Sequence, residues 1–246
     1  MDGSPGLPGL GEWIAYGPDQ VLPHGIEIEV TEGVITGLCG AAGPSHVEEL
    51  LGKRYVVGDL DATDIAPALW RSLQLVLTKA GGSRADIEIA RPLWWLRHVQ
   101  AKVNGAVPLA MHEIGVRGNA TVTRIGPFSA NPSADEPGEA VVIGTICHRD
   151  VAVFDLVFDN RADDALGITA THPIFSLDRC DWVGAEDLLL GEEVATASGS
   201  AILTSRTPRP ERHQVYNLQV HRAHAYHVSP LAVLVHNTGI GCPPGG

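Results

Sequence analysis

Short runs of alternating apolar and polar residues recur along the chain, and glycine or proline closes most of them. A period of two puts successive side chains on opposite faces of an extended backbone, so each run suits a half-buried strand better than a helix. The 246 residues include 28 Gly and 17 Pro, which leaves little uninterrupted sequence for long helices. Aromatic content is only 5%, so the core must come mainly from Val, Leu, Ile and Ala. The expectation is an all-β fold of many short strands with little helix.

In chain order, residues 1–24 contain three Gly-X-Y triplets, too few for a triple helix, and read as a flexible lead-in. Ile26, Ile28 and Val30 alternate with Glu27 and Glu29 as a half-exposed strand. Ser45 and Glu48 have capping-box spacing and predict a short helix that closes at Gly52. Residues 55–57 suit a strand, and residues 58–67 form an acidic, helix-breaking run. Leu73, Leu75 and Leu77, the pair Gly81-Gly82, then Ile87 and Ile89 predict a hairpin. Residues 91–96 suit a helical turn that packs Trp94 and Trp95 against the sheet, with a paired-indole ligand site as the alternative. Val107 with Leu109, and residues 120–125, are further strands. The polar stretch 131–138 is the clearest candidate boundary. Beyond it, residues 141–145, 151–157, 168–175, 201–204, 215–220 and 231–235 read as extended. Residues 185–188 suit a helical turn and 198–200 a hairpin turn. No repeat of 20–50 residues is visible.

The formal charge of −12 argues against nucleic acid or an anionic membrane surface as partner, because phosphate recognition needs clustered Lys and Arg. No apolar run is long enough to span a bilayer and no signal peptide is visible, so localisation stays open, with a place in a longer exported protein among the options. Cys39, Cys147, Cys180 and Cys242 form no CxxC pair. They read as buried free thiols, with one disulfide as the alternative.

His221, His224 and His227 have a spacing that suggests a metal site. On a strand, however, His224 points away from the other two, and His221 and His227 lie about 20 Å apart. Ligands must converge on one ion, so neither metal nor cofactor is expected. A metal-binding β protein using residues 213–227 is the weakest reading. His98, His112 and His213 read as solvated.

More informative is the apolar strand pattern that ends on His236-Asn237-Thr238. The side-chain amide of an Asn can attack its own main-chain carbonyl, form a succinimide and cut the chain. The amide nitrogen is a weak nucleophile and the departing amide a poor leaving group. The reaction needs a held geometry, a polarised carbonyl and a proton for the departing amine. Histidine titrates close enough to neutrality to supply that proton.

Thr169-Ala170-Thr171-His172-Pro173 precedes this end, followed by Trp182-Val183-Gly184-Ala185-Glu186-Asp187-Leu188 and Gly191-Glu192. Then come Val215-Tyr216-Asn217-Leu218-Gln219-Val220 and His224-Ala225-Tyr226-His227-Val228. Their order and separations resemble the Hint (hedgehog/intein) superfamily, most closely the Hint domains of bacterial polymorphic-toxin and RHS-type proteins. The resemblance runs from Val141 to Thr238, extends more weakly over Ile87 through Ile125, and does not reach the chain before residue 84.

The resemblance implies a compact horseshoe or barrel-like fold of short strands. It divides the chain into a lead-in (1–24), an N-terminal region of unassigned role (25–84), a Hint-like domain (85–239) and a disordered tail (240–246). Thr169 and His172 match the family's Thr-x-x-His motif, whose histidine distorts and protonates the upstream scissile amide. His224 matches the histidine that assists at the downstream junction. His236 and Asn237 match the closing pair, and Thr238 the first downstream position.

Splicing members begin with a nucleophilic Cys or Ser followed by a Gly-Thr strand. Cys39 lacks that context, and Cys147 follows Gly144-Thr145 instead of preceding it. The expected activity is therefore single-turnover cleavage after Asn237 without splicing. The substrate is the chain itself, and a downstream toxin or effector is the expected cargo. Only residues 238–246 follow the cut, so the cargo is expected outside this chain or lost by truncation. The alternative is a non-catalytic Hint-fold scaffold or interaction module.

Overall fold

The computed structural model describes residues 26–28, 55–57, 60–61, 63–79, 81–111, 114–129 and 140–236. The helix predicted near 44–52, the loop 131–138, Cys39, Cys242, His112, the lead-in and the tail lie outside the described residues, as do Asn237 and Thr238.

The described strands are β1 (Ile26–Ile28), β2 (Tyr55–Val57), β3 (Trp70–Thr78), β4 (Arg84–Pro92), β5 (Ala106–Met111), β6 (Val116–Pro127), β7 (Val142–Val151) and β8 (Phe154–Phe158). They continue with β9 (Leu166–Ile168), β10 (Pro173–Ser176), β11 (Asp181–Gly184), β12 (Glu193–Thr196), β13 (Gly199–Pro208), β14 (His213–Val220), β15 (Ala225–Val228) and β16 (Val233–His236). One short helix, α1 (Leu93–His98), and two 3-10 turns complete the described elements. The fold is all-β.

β1 pairs with β2. A six-stranded sheet has the order β14-β7-β4-β3-β6-β5. An eight-stranded sheet has the order β11-β10-β16-β12-β13-β8-β9, with β15 added on β16. The boundary expected between residues 84 and 85 falls in the β3–β4 hairpin, whose strands are neighbours in one sheet. The chain divides into two compact units.

The first unit comprises Met1–Leu75, Ile89–Val107 and Thr121–Glu139. Trp70 is fully buried and donates through Nε1 to the Asp64 carbonyl at 3.0 Å. Trp94 and Trp95 are buried on α1, as the core-packing reading expects. The guanidinium of the fully buried Arg91 lies 5.6 Å from the Trp95 ring centroid.

The second unit comprises Val76–Glu88, Pro108–Ala120 and Ala140–Gly246. Its core gathers Leu156, Phe158, Ile174, Val183, Val194, Leu203, Val233 and Val235 from six strands. These are the inward positions of period-two patterns, so local alternation and global packing agree.

Three stretches differ from expectation. Residues 151–157 do not form one strand. β7 ends at Val151, and β8 begins at Phe154 in the other sheet, where it pairs with β13 and β9. The run has strand propensity throughout, and propensity does not say which sheet each half joins. Residues 185–188 form a turn, closed by Asp187 N–H donating to the Gly184 carbonyl at 2.8 Å, and do not continue as helix. Residues 221–224 also turn. Ala223 N–H donates to the His221 carbonyl at 2.8 Å, and Arg222 and His224 have φ of 64° and 52°. The extended geometry used to separate the three histidines therefore does not apply across His221 to His224.

Candidate functional site

Strand alternation builds this site inside the second unit. Ile174 pairs with Val235, and both side chains point into the core. Val183, which pairs with Ile174, does the same. Phe175, Trp182 and His236 are each one residue away from these inward positions, so they emerge on the other side. The Trp182 and His236 rings lie 4.6 Å apart between centroids, tilted by 40°. Phe175 meets Trp182 edge-to-face at 5.1 Å.

His224 reaches the same place by a different route. β15 pairs with β16 so that Ala225 stands opposite His236. The left-handed backbone at His224, just before β15, turns its ring to 6.5 Å from the His236 centroid. Non-glycine residues enter that region infrequently, with His among those enriched there.

His172 sits at the start of β10 and is buried. Its N–H donates to the Thr169 carbonyl at 3.2 Å, and its carbonyl accepts from Ala185 N–H at 3.0 Å. Thr169 thus enters through its backbone, closing the turn that presents His172. Burial lowers the His172 pKa to about 4, and the neighbouring positive charge of His236 acts in the same direction. At neutral pH this imidazole is uncharged.

The His224 and His236 rings thus lie 6.5 Å apart at the end of β16, and His172 is close enough for His236 to act on its pKa. His227 is exposed on β15 and His221 is buried in the preceding turn. Among the described residues, no group of three or more His, Cys, Asp or Glu is placed to hold a metal ion. No described helix is long and apolar enough to cross a membrane.

Sequence reasoning passed over Trp182. The residue stands inside a quoted motif, and it is an indole in an aromatic-poor chain. Its partner is set by the β10–β11 and β10–β16 registers, which cannot be read from local pattern.

The turn beside His172 has its own clamps. Arg206 donates through Nη1 to the carbonyls of Glu186 and, at 2.9 Å, Leu188. The buried Glu192 carboxylate accepts from Ser176 Oγ at 2.6 Å, Arg179 Nη2 at 2.7 Å and Leu189 N–H at 2.7 Å. Burial alone would raise the Glu192 pKa. The Leu189 N–H, the Ser176 hydroxyl and Arg179 outweigh it and hold the carboxyl below its ordinary value. Removing the carboxylate leaves buried donors unsatisfied, at about 1–3 kcal/mol. Glu192→Ala is expected to lower the urea midpoint accordingly; an unchanged midpoint would show that water replaces the carboxylate.

The all-β fold class agrees with the expectation from sequence. Solved structures similar to the chain include a bacterial intein-like domain from Clostridium thermocellum, at 21% identity and a TM-score of 0.37, covering 69% of this chain and 98% of that one. The TvoVMA intein is similar at 15% identity and a TM-score of 0.37, covering 68% and 98%. A variant of the Ssp DnaB mini-intein is similar at 16% identity and a TM-score of 0.35, covering 68% and 94%. No protein-family model and no curated protein matches the chain.

Proposed function

We propose that the chain is a single-turnover autoprocessing domain that cuts itself after Asn237. The observation that supports this reading is the approach of the His224 and His236 rings at the end of β16, one residue before Asn237 in the sequence. The side-chain amide nitrogen of Asn237 bonds to its own main-chain carbonyl carbon, and the bond to the Thr238 nitrogen breaks. The proton lost by the side-chain nitrogen is balanced by the proton gained by the departing amine. The product is a C-terminal succinimide, and no co-reactant is consumed.

His236 and His224 are the groups that polarise the carbonyl and shuttle the proton. His172, uncharged at neutral pH, acts through its ring hydrogen-bonding capacity and not as a reserve of protons. Its position corresponds in the Hint resemblance to the upstream junction, as does that of Thr169. Thr238 becomes the first residue of the released segment. In a longer polypeptide that segment would be a toxin or effector.

Intact-mass spectrometry of the purified 246-residue chain tests the proposal. The expected result is time-dependent loss of residues 238–246, with the shortened chain carrying a succinimide or its hydrolysis product. A chain that stays at full mass from mildly acidic to mildly alkaline pH, with and without thiol, would overturn autoprocessing and leave the scaffold reading.

A further inference from the structure

The geometry points to Trp182 as the positioning residue for the His236 imidazole, an assignment that rests on the autoprocessing reading and adds a residue to it. A histidine that must polarise a neighbouring carbonyl has to present one edge of its ring in one direction. His236 sits at the end of a four-residue strand and is only half-buried, so backbone pairing alone does not set its side-chain torsions. The Trp182 indole packs directly against the ring. Its centroid is 4.6 Å from the imidazole, with the planes inclined by 40°. This is within the range of offset aromatic contact, worth about 0.5–1.5 kcal/mol beyond the area it buries.

The indole is itself held. Phe175, its direct partner across the β10–β11 ladder, packs edge-on against it at 5.1 Å and 74°. At Gly184, a Cβ would come within 3.3 Å of Asp187 Oδ2 and 3.5 Å of the Ala170 carbonyl. The end of β11 is thus seated closely against the segment that leads to His172. Phe175, Trp182 and His236 form a continuous aromatic row on the side of β10, β11 and β16 away from the core. His224 approaches His236 at 6.5 Å. In this assignment the row holds the His236 ring from one side and sets its orientation.

The test uses the full chain with two substitutions, Trp182→Leu and Trp182→Phe. Cleavage is followed by intact mass. The His236 ring protons are followed by NMR in an Asn237→Ala background that keeps the chain whole, with His236→Gln to assign them. Parent chain is expected to show these protons displaced by the indole ring current. Trp182→Leu should abolish the displacement and slow cleavage about tenfold or more, in line with the rate cost of a misplaced reacting group. Trp182→Phe, which keeps an aromatic face, should restore most of both.

A Trp182→Leu chain that cleaves at the parental rate, or slows without any change at the His236 ring, would overturn the assignment. So would failure of Trp182→Phe to restore either readout while the core remains folded by thermal melt. A parent chain that does not cleave at all overturns the autoprocessing reading, and the ring-current comparison then decides the stacking by itself.

Discussion

The Asn237→Ala chain is expected to keep its full mass under conditions in which autoprocessing would remove residues 238–246 from the parent. This is the largest effect expected of any single substitution, because it removes the nucleophile and not an assisting group. Alanine has no side-chain nitrogen to close the five-membered ring, so the assisting groups cannot restore the reaction. His236→Ala should be less complete. It removes one proton-transfer group while the attacking amide stays, and such groups typically contribute about 10²–10⁴-fold. The two variants are told apart on a long time course, where His236→Ala creeps toward the shortened mass and Asn237→Ala does not. A full-mass parent, or an Asn237→Ala chain that cuts at the same bond, would refute succinimide formation.

Loss of stability on acidification is the second large effect. Burial, then the positive charge of Lys79, hold the His148 pKa at about 4. Burial and His236 do the same for His172. Both histidines have an ordinary value of 6.5. In each case the folded pKa lies below the unfolded one, so the unfolded chain binds more protons in the interval between them. Stability is therefore complete above pH 6.5, falls as pH drops toward 4, and levels off below. At about 1.4 kcal/mol per unit, each histidine contributes on the order of 3–4 kcal/mol to that fall.

Glu192, whose carboxyl is held below its ordinary value of 4.5, extends the loss to lower pH as its carboxylate takes up a proton. Urea midpoints measured between neutral pH and pH 4 should decline steeply in the parent and less steeply in His148→Gln. A midpoint independent of pH across that interval would mean that these imidazoles are hydrated or protonated in the folded chain.

His148 also shows what local pattern conveys and what it omits. The period-two alternation through β7 extends well past the predicted segment 141–145, and it places His148 on a buried face. Alternation reports which face a residue occupies, but not that Lys79 is its neighbour. The hairpin of β3 and β4, the burial of Trp94 and Trp95, and the strand character of β14 and β16 were all legible, because each is a local repeat closed by Gly, Pro or a polar turn. The break between β7 and β8 was not, because both halves of residues 151–157 favour extended backbone and differ only in the sheet they join.

The candidate site divides the same way. Sequence alone determined the candidate residues: a Thr-x-x-His segment, a later histidine, and a strand ending in His-Asn. These are chemical identities in a fixed order. Sequence also determined that Val235 faces inward and His236 outward, since adjacent strand residues point to opposite faces. Only the tertiary structure decided that the left-handed turn at His224 brings its ring toward His236 and that Trp182 packs against His236. Those contacts depend on strand register and on which strands are neighbours. Register is set by the packing of the whole unit, and a one-residue slip would exchange every inward side chain for an outward one.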